Sequence, residues 1–114
     1  MADDCLFCRI VTDDVPADVV RRGNGMVAFR DIAPKAPVHV LVIPERHVDS
    51  MAGVGGLTPD ERADMLAFIA EVARDEGLEA TGYRVTTNHG PDALQSVHHL
   101  HWHVMGGTRL SDSM

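Results

Sequence analysis

The chain has 114 residues and a formal net charge of −7, with 17 acidic against 10 basic side chains. That length bounds it to one small domain of a few packed elements, and a 45% hydrophobic share excludes a largely disordered chain. The acidic balance argues against a nucleic-acid polymer as partner, because tracking many phosphates takes clustered Lys and Arg. A single small nucleotide stays open, since a few histidines and backbone amides can hold one or two phosphates.

Met1-Ala2-Asp3-Asp4 has neither a basic nor an apolar leader segment, and no apolar run approaches a bilayer span; a cytoplasmic chain without membrane contact is expected. Cys5-Leu6-Phe7-Cys8 holds both cysteines at a spacing unsuited to a secreted disulfide framework and open to metal binding or redox work. Asp13-Asp14-Val15-Pro16 reads as a turn. Val19-Val20-Arg21 and Met26 to Asp31 read as two strands joined around Gly23-Asn24-Gly25, a hairpin signal. The proline-stiffened loop from Ala33 to Pro37 delivers the chain into Val38-His39-Val40-Leu41-Val42-Ile43, a β-branched run halted by Pro44 and suited to a central strand.

A loop over Gly53 to Gly56 precedes the clearest helix start in the chain. Thr58 is its N-cap, Pro59 its first residue, and Glu61 completes a capping box. Apolar residues at 65, 66, 69, 72 and 73 keep helical spacing, and Gly77 stops the helix. Tyr83 to Asn88 alternates as a fourth strand with Arg84, Thr86 and Asn88 on one face. A loop from His89 to Ser96 leads to the last strand. The order strand, strand, strand, long helix, strand, strand points to an α+β fold, an antiparallel five-stranded sheet with one helix on one face and a polar site face on the other.

His99-Leu100-His101-Trp102-His103-Val104 is the most informative segment. Side chains of a strand alternate in direction, so the three imidazoles form one row about 7 Å apart while Leu100, Trp102 and Val104 face the core. Imidazole can be ligand, nucleophile, base or proton donor near neutral pH, so the row suits a metal site or a phosphate-handling site. The spacing also permits a catalytic zinc on His99, His101 and His103.

With this row, Gln95-Ser96-Val97 before it, Gly106-Gly107 after it, Asp31-Ile32-Ala33-Pro34, the segment from Val38 to His47, and Asn88-His89-Gly90, the chain resembles the histidine triad (HIT) superfamily. Within it, the chain looks most like the Hint branch of nucleotide-binding nucleoside phosphoramidate hydrolases, built as homodimers with a continuous sheet. The resemblance runs from about residue 5 to 107 of a single domain spanning 1–114, leaving a short polar tail at 108–114. It implies a purine nucleoside phosphoramidate hydrolase. His101 would be the nucleophile that forms a nucleotidyl-histidine, and His103 would meet phosphate and leaving group as a protonated imidazole. His39 would help orient the nucleophile.

Ser96, Gln95 and the Val97 backbone match the phosphate loop, and Ser96 counts among the catalytic candidates. Asp31 matches the ribose carboxylate, with turn capping as its alternative role. Phe29 and Ile32 match the base slot, and Asn88 a contact near ribose and phosphate. The resemblance also implies a structural zinc on Cys5, Cys8, His47 and His99, set against reduced thiols or a redox pair.

Two positions depart from the family pattern, Leu94 and His98. Leu94 stands where relatives commonly have glycine, which bears on the backbone approach to phosphate. His98 replaces an aromatic or aliphatic residue and is expected to be partly buried on the face opposite the row. Met105 occupies the place of a glutamine in the Fhit branch, which weighs against a dinucleoside polyphosphate hydrolase. A nucleotide-binding scaffold with little catalysis is the other alternative. The tail differs from those that reach substrate across the dimer.

Overall fold

The structure, a computed structural model, describes residues 4–112. Met1 to Asp3, part of the leader reading, and the last two residues of the tail lie outside the described residues. A short helix α1 (Leu6–Val11) comes first, followed by β1 (Val19–Gly23), β2 (Met26–Arg30) and β3 (Val38–Pro44). A 3-10 turn over Met51–Gly56 leads into α2 (Pro59–Asp75), then β4 (Tyr83–Thr86) and β5 (Trp102–Gly106). The strands form one five-stranded sheet in the order β1-β2-β3-β5-β4, every pair antiparallel.

Local chemistry explains the parts expected from sequence. Asn24 and Gly25 both take positive φ, 53° and 78°, which a two-residue turn between right-twisted strands requires. At the start of α2 the Thr58 hydroxyl accepts from the Glu61 amide (3.0 Å) while the Glu61 carboxylate accepts from the Thr58 amide (2.8 Å). Two orphan donors of the first turn are thereby satisfied, and the exposed Glu61 carboxyl is held below its ordinary range, chiefly by that Thr58 backbone bond and by Arg46.

Three expectations are corrected. Helix α1 was not anticipated, because its N-cap is Cys5 rather than Ser, Thr, Asp or Asn and it runs only six residues. The loop over Gly53 to Gly56 is part of a 3-10 turn capped by Ser50. The face opposite α2 is not simply polar. Val40, Val42, Met26, Ala28, Leu100 and Val104 bury one sheet face against Met65, Phe68, Ile69 and Val72 of α2. On the other face, Val27, Phe29, Leu41 and Ile43 meet Phe7 and Ile10 of α1 in a second core. The histidines therefore emerge beside an apolar floor. No helix among the described residues is long and apolar enough to cross a membrane.

Candidate active site and metal centre

The histidine row keeps the expected alternation, but only its C-terminal part lies in a paired strand. The β3–β5 register ends at Val42 opposite Trp102, so residues 99–101 run past β3, and the Leu100 amide instead donates to the Val48 carbonyl at 2.7 Å. Leu100 and Val104 are fully buried under α2, and the indole N–H of Trp102 donates to the Met65 sulfur. His99, His101 and His103 face the other way; the first two are buried, at 0% and 5% exposure, and His103 is half-buried.

Hydrogen bonds fix which nitrogen of each ring carries the proton. His101 Nδ1–H donates to the His99 carbonyl at 2.7 Å, because a carbonyl can only accept. The His101 Nε2 lone pair is therefore free. On His39, Nδ1 accepts from the Lys35 amide at 3.1 Å, so Nε2 carries the hydrogen and donates to His103 Nδ1 at 2.9 Å. His103 is thereby left with Nε2–H as its outward donor. His39 thus orients His103, whereas the nitrogen of His101 expected to be served by His39 is taken by the peptide carbonyl of residue 99.

Burial pushes the His39 imidazolium equilibrium down, Asp31 opposing it and Lys35 adding to it. His103 is pushed down to about 4, first by burial and then by the neighbouring His101 and His39 charges. Both the shift and the bond from His39 favour the neutral His103 ring in the free chain, with Nε2–H as its donor.

A cavity of about 340 Å³ opens beside His101 and His103, within the size range of small-molecule sites. Its lining is mostly apolar and includes Phe7, Ile10, Val15, Phe29, Ile32 and Leu41. Phe29 forms the buried floor, while Ile32 is fully exposed at the rim. Asp31 also lines the cavity, and of the two roles considered for it the structure contains the turn cap. Its Oδ1 caps the turn by accepting from the Ala33 amide at 2.8 Å, and its Oδ2 lies 3.5 Å from His39 Nε2.

Ser96 and Val97 line the same cavity, and Ser96 makes no hydrogen bond among the described residues. Gln95 does not line it. Its amide is committed elsewhere, Oε1 to the Gly90 amide at 3.0 Å and Nε2 to the Asp49 and Val97 carbonyls at 2.7 and 3.1 Å. Gln95 braces the loop that presents Ser96. Asn88 lies on the far side of His103, in a separate small cavity. His98 is exposed rather than partly buried.

The expected metal ligands converge. Candidate donor atoms of Cys5, Cys8, His47 and His99 all lie within 4.8 Å of one another. His47 Nδ1 is 3.3 Å from Cys8 Sγ and 3.1 Å from His99 Nδ1, and His99 Nδ1 is 3.3 and 3.4 Å from the two sulfurs. Tetrahedral zinc with ordinary bond lengths would set nitrogens about 3.3 Å apart and nitrogen and sulfur about 3.6 Å apart. The far nitrogens are already donors: His99 Nε2–H to the Pro44 carbonyl at 2.8 Å and His47 Nε2–H to Asp49 at 2.9 Å. Two Nδ1 lone pairs therefore face each other and the thiols, an arrangement a cation between them relieves and outer hydrogen bonds of this kind support.

Among the described residues, donor atoms of the row's three histidines do not gather as a metal cluster. Asp31, His39 and His103 do gather within 4.8 Å. There, however, the Lys35 amide pins the proton on His39 Nε2, the atom that would have to coordinate. That trio is a hydrogen-bonded relay.

Sequence reasoning missed the apolar contribution of α1 to the cavity, although Phe7 and Ile10 sit one helical turn apart. It also missed the supports of the metal cluster, the Pro44 carbonyl and Asp49, for which no sequence signal exists.

A single antiparallel sheet carrying a histidine row beside a cavity is the arrangement of a histidine triad protein. The model of the HIT domain matches residues 12–110, and the chain belongs to this family. The purine nucleoside phosphoramidase of Escherichia coli K12 is 34% identical over 110 residues, 96% of this chain and 92% of that protein. The 14 kDa zinc-binding protein of Zea mays is 39% identical over 112 residues, covering 93% of this chain and 84% of that protein. A HIT family hydrolase from Legionella pneumophila superposes with a TM-score of 0.87 at 36% identity, over 96% of this chain and 97% of that one.

Proposed function

We propose that the chain hydrolyses purine nucleoside phosphoramidates through a covalent intermediate on His101. One observation carries the reading: the His101 Nδ1–H bond to the His99 carbonyl, 2.7 Å, leaves the Nε2 lone pair at a cavity with an apolar floor and a carboxylate at its edge. The base would lie against Phe29 and Ile32, with the ribose hydroxyls on Asp31 Oδ2 and the phosphate at Ser96 and the Val97 amide. His101 Nε2 forms a bond to the α-phosphorus as the phosphorus–nitrogen bond breaks, and the amine leaves with a proton taken from water. Water then attacks phosphorus, returns Nε2 its electron pair, releases the nucleoside monophosphate and restores the proton to solvent.

Splitting the reaction in this way needs a nitrogen that is nucleophilic when neutral and a good leaving group once phosphorylated. Imidazole meets both requirements. The His99 carbonyl steadies the positive ring of the intermediate, and the His103 Nε2–H donates to oxygen on phosphorus as charge builds there.

Zinc on Cys5, Cys8, His47 and His99 belongs to the same reading, supported by the facing lone pairs and by the name of the maize relative. Bound there, it would cross-link α1 to the segments flanking β3 and β5, structural support for a domain with two small cores. The reading also carries a homodimer, for which the outer edge of β4 offers unpaired backbone groups, and a cytoplasmic setting that keeps the two thiols reduced.

The test is a quenched reaction with an adenosine phosphoramidate, followed by mass spectrometry of the peptide containing residue 101. Adenylate on that peptide is expected, and His101→Ala should abolish both adduct and turnover. A folded His101→Ala protein with near-normal activity would overturn the proposal.

A further inference from the structure

Beyond His103 lies a second, smaller cavity of about 150 Å³, lined by Lys35, His39, Thr86, Asn88, His103 and Met105. His103 is the residue shared with the lining of the larger cavity, so it forms the wall between them. His101 lines only the larger one. The smaller cavity therefore lies on the other side of His103 from the one that His101 lines. It is too small for a nucleoside and suits one charged group of a larger ligand.

Its chemistry is that of an anion site. No carboxylate lines it, in a chain whose net charge is −7. Arg21, Arg22, Arg30, Arg46 and Arg74 meet carboxylates; Lys35, like Arg9, Arg62, Arg84 and Arg109, meets none among the described residues, and of these five it is the one that lines the cavity. The Thr86 hydroxyl and the Asn88 amide likewise make no side-chain hydrogen bond there. Lys35 is anchored rather than adrift, because its own backbone amide holds His39 at 3.1 Å. A cation without a carboxylate partner, an amide and a hydroxyl thus line one cavity together with His103.

We infer that this cavity is a subsite for an anionic group, carboxylate or phosphate, carried by the substrate beyond the reacting phosphorus. The preferred phosphoramidates are then those whose amine bears a negative charge close to its nitrogen. This deepens the phosphoramidase reading and rests on it for the leaving-group assignment.

Two adenosine phosphoramidates separate the charge from the shape: one made from glycine, with a carboxylate, and one from glycinamide, its neutral counterpart. The wild-type chain is expected to favour the glycine compound about tenfold in kcat/KM, the scale of one charge-assisted contact. Lys35→Gln should bring that ratio near one, and Lys35→Arg should retain it. Calorimetric titration with AMP and ADP reads the same subsite without turnover, ADP binding about tenfold more tightly in the wild type and equally in Lys35→Gln. Discrimination in the glycine pair alone identifies a carboxylate site, and discrimination in the nucleotide pair alone a phosphate site. A ratio near one in both pairs, or a preference that survives Lys35→Gln, overturns the inference. If neither phosphoramidate is hydrolysed, the phosphoramidase reading fails, and the ADP-to-AMP ratio and its loss in Lys35→Gln decide the subsite by themselves.

Discussion

Replacing Leu94 with glycine should stabilise the protein, against the general expectation for removal of a large apolar side chain. Leu94 has φ 61° and ψ 38°, the left-handed helical region, at the C-cap of the 3-10 turn over Pro91–Ala93. A residue with a Cβ loses roughly 1–2 kcal/mol there. The side chain is 85% exposed, so its loss forfeits little burial. Glycine gains backbone freedom in the unfolded chain, which costs about 0.5–1 kcal/mol. The balance is a stabilisation of about 0.5–1 kcal/mol, a shift in urea midpoint of roughly 0.3–0.6 M. Trp102, the chain's one tryptophan, reports the transition by its fluorescence, since it packs on Met65 of α2. Leu94→Ala keeps the Cβ and should gain nothing. An equal gain in the alanine variant, or a lower midpoint in the glycine variant, would refute the assignment of strain to this backbone conformation.

His39→Gln should lower kcat roughly 10- to 100-fold with KM within about threefold, because His103 loses the partner that fixes its tautomer; nitrogen chemical shifts of His103 should show mixed tautomers. Cys8→Ser should abolish stoichiometric zinc by elemental analysis and lower Tm by roughly 10 °C, equivalent to about 3 kcal/mol. Chelation of the wild-type protein should reproduce the shift. Stability should also fall in mild acid. A folded-state His103 value of about 4 against 6.5 when unfolded means that the unfolded chain takes up the proton first. The contribution is complete above pH 6.5 and is lost as the pH falls through about 4. Burial is the largest cause of the shift, His101, His39 and Lys35 add to it, and Asp31 opposes it. Urea midpoints between pH 7.5 and 4.5 should therefore decline less steeply in His103→Gln than in the wild type.

What could be read from sequence was whatever is written locally. The Thr58-to-Glu61 capping box and the Asn24-Gly25 turn need only neighbours a few residues away, and both form as expected. Alternation in the histidine row fixed which side chains share a face, because that depends on the chain's own period of two. It could not fix pairing, so the strand begins at Trp102 and the first two histidines lie beyond the end of β3. Helix α1 escaped because a six-residue helix behind a cysteine cap carries too little periodic signal. The roles of Gln95 and His39 escaped for another reason: each depends on which distant backbone group the fold brings opposite. Conversely, the strain at Leu94 was foreshadowed by its standing where glycine is common in relatives.

The Cys and His cluster and the His101 ring meet in one residue, His99, the most deeply buried imidazole of the row. The His99 ring gives Nε2–H to the Pro44 carbonyl and turns Nδ1 to the cysteines, while its backbone carbonyl accepts from His101 Nδ1. Three constraints on one residue leave the position of that carbonyl little freedom. A small displacement would release the proton on His101 to either nitrogen and remove the Nε2 lone pair in part of the population. Rigidity at residue 99 therefore acts at residue 101 through a single hydrogen bond. Two of the three rings in the row thus have their protons placed by a neighbour, His101 by the residue 99 backbone and His103 by His39.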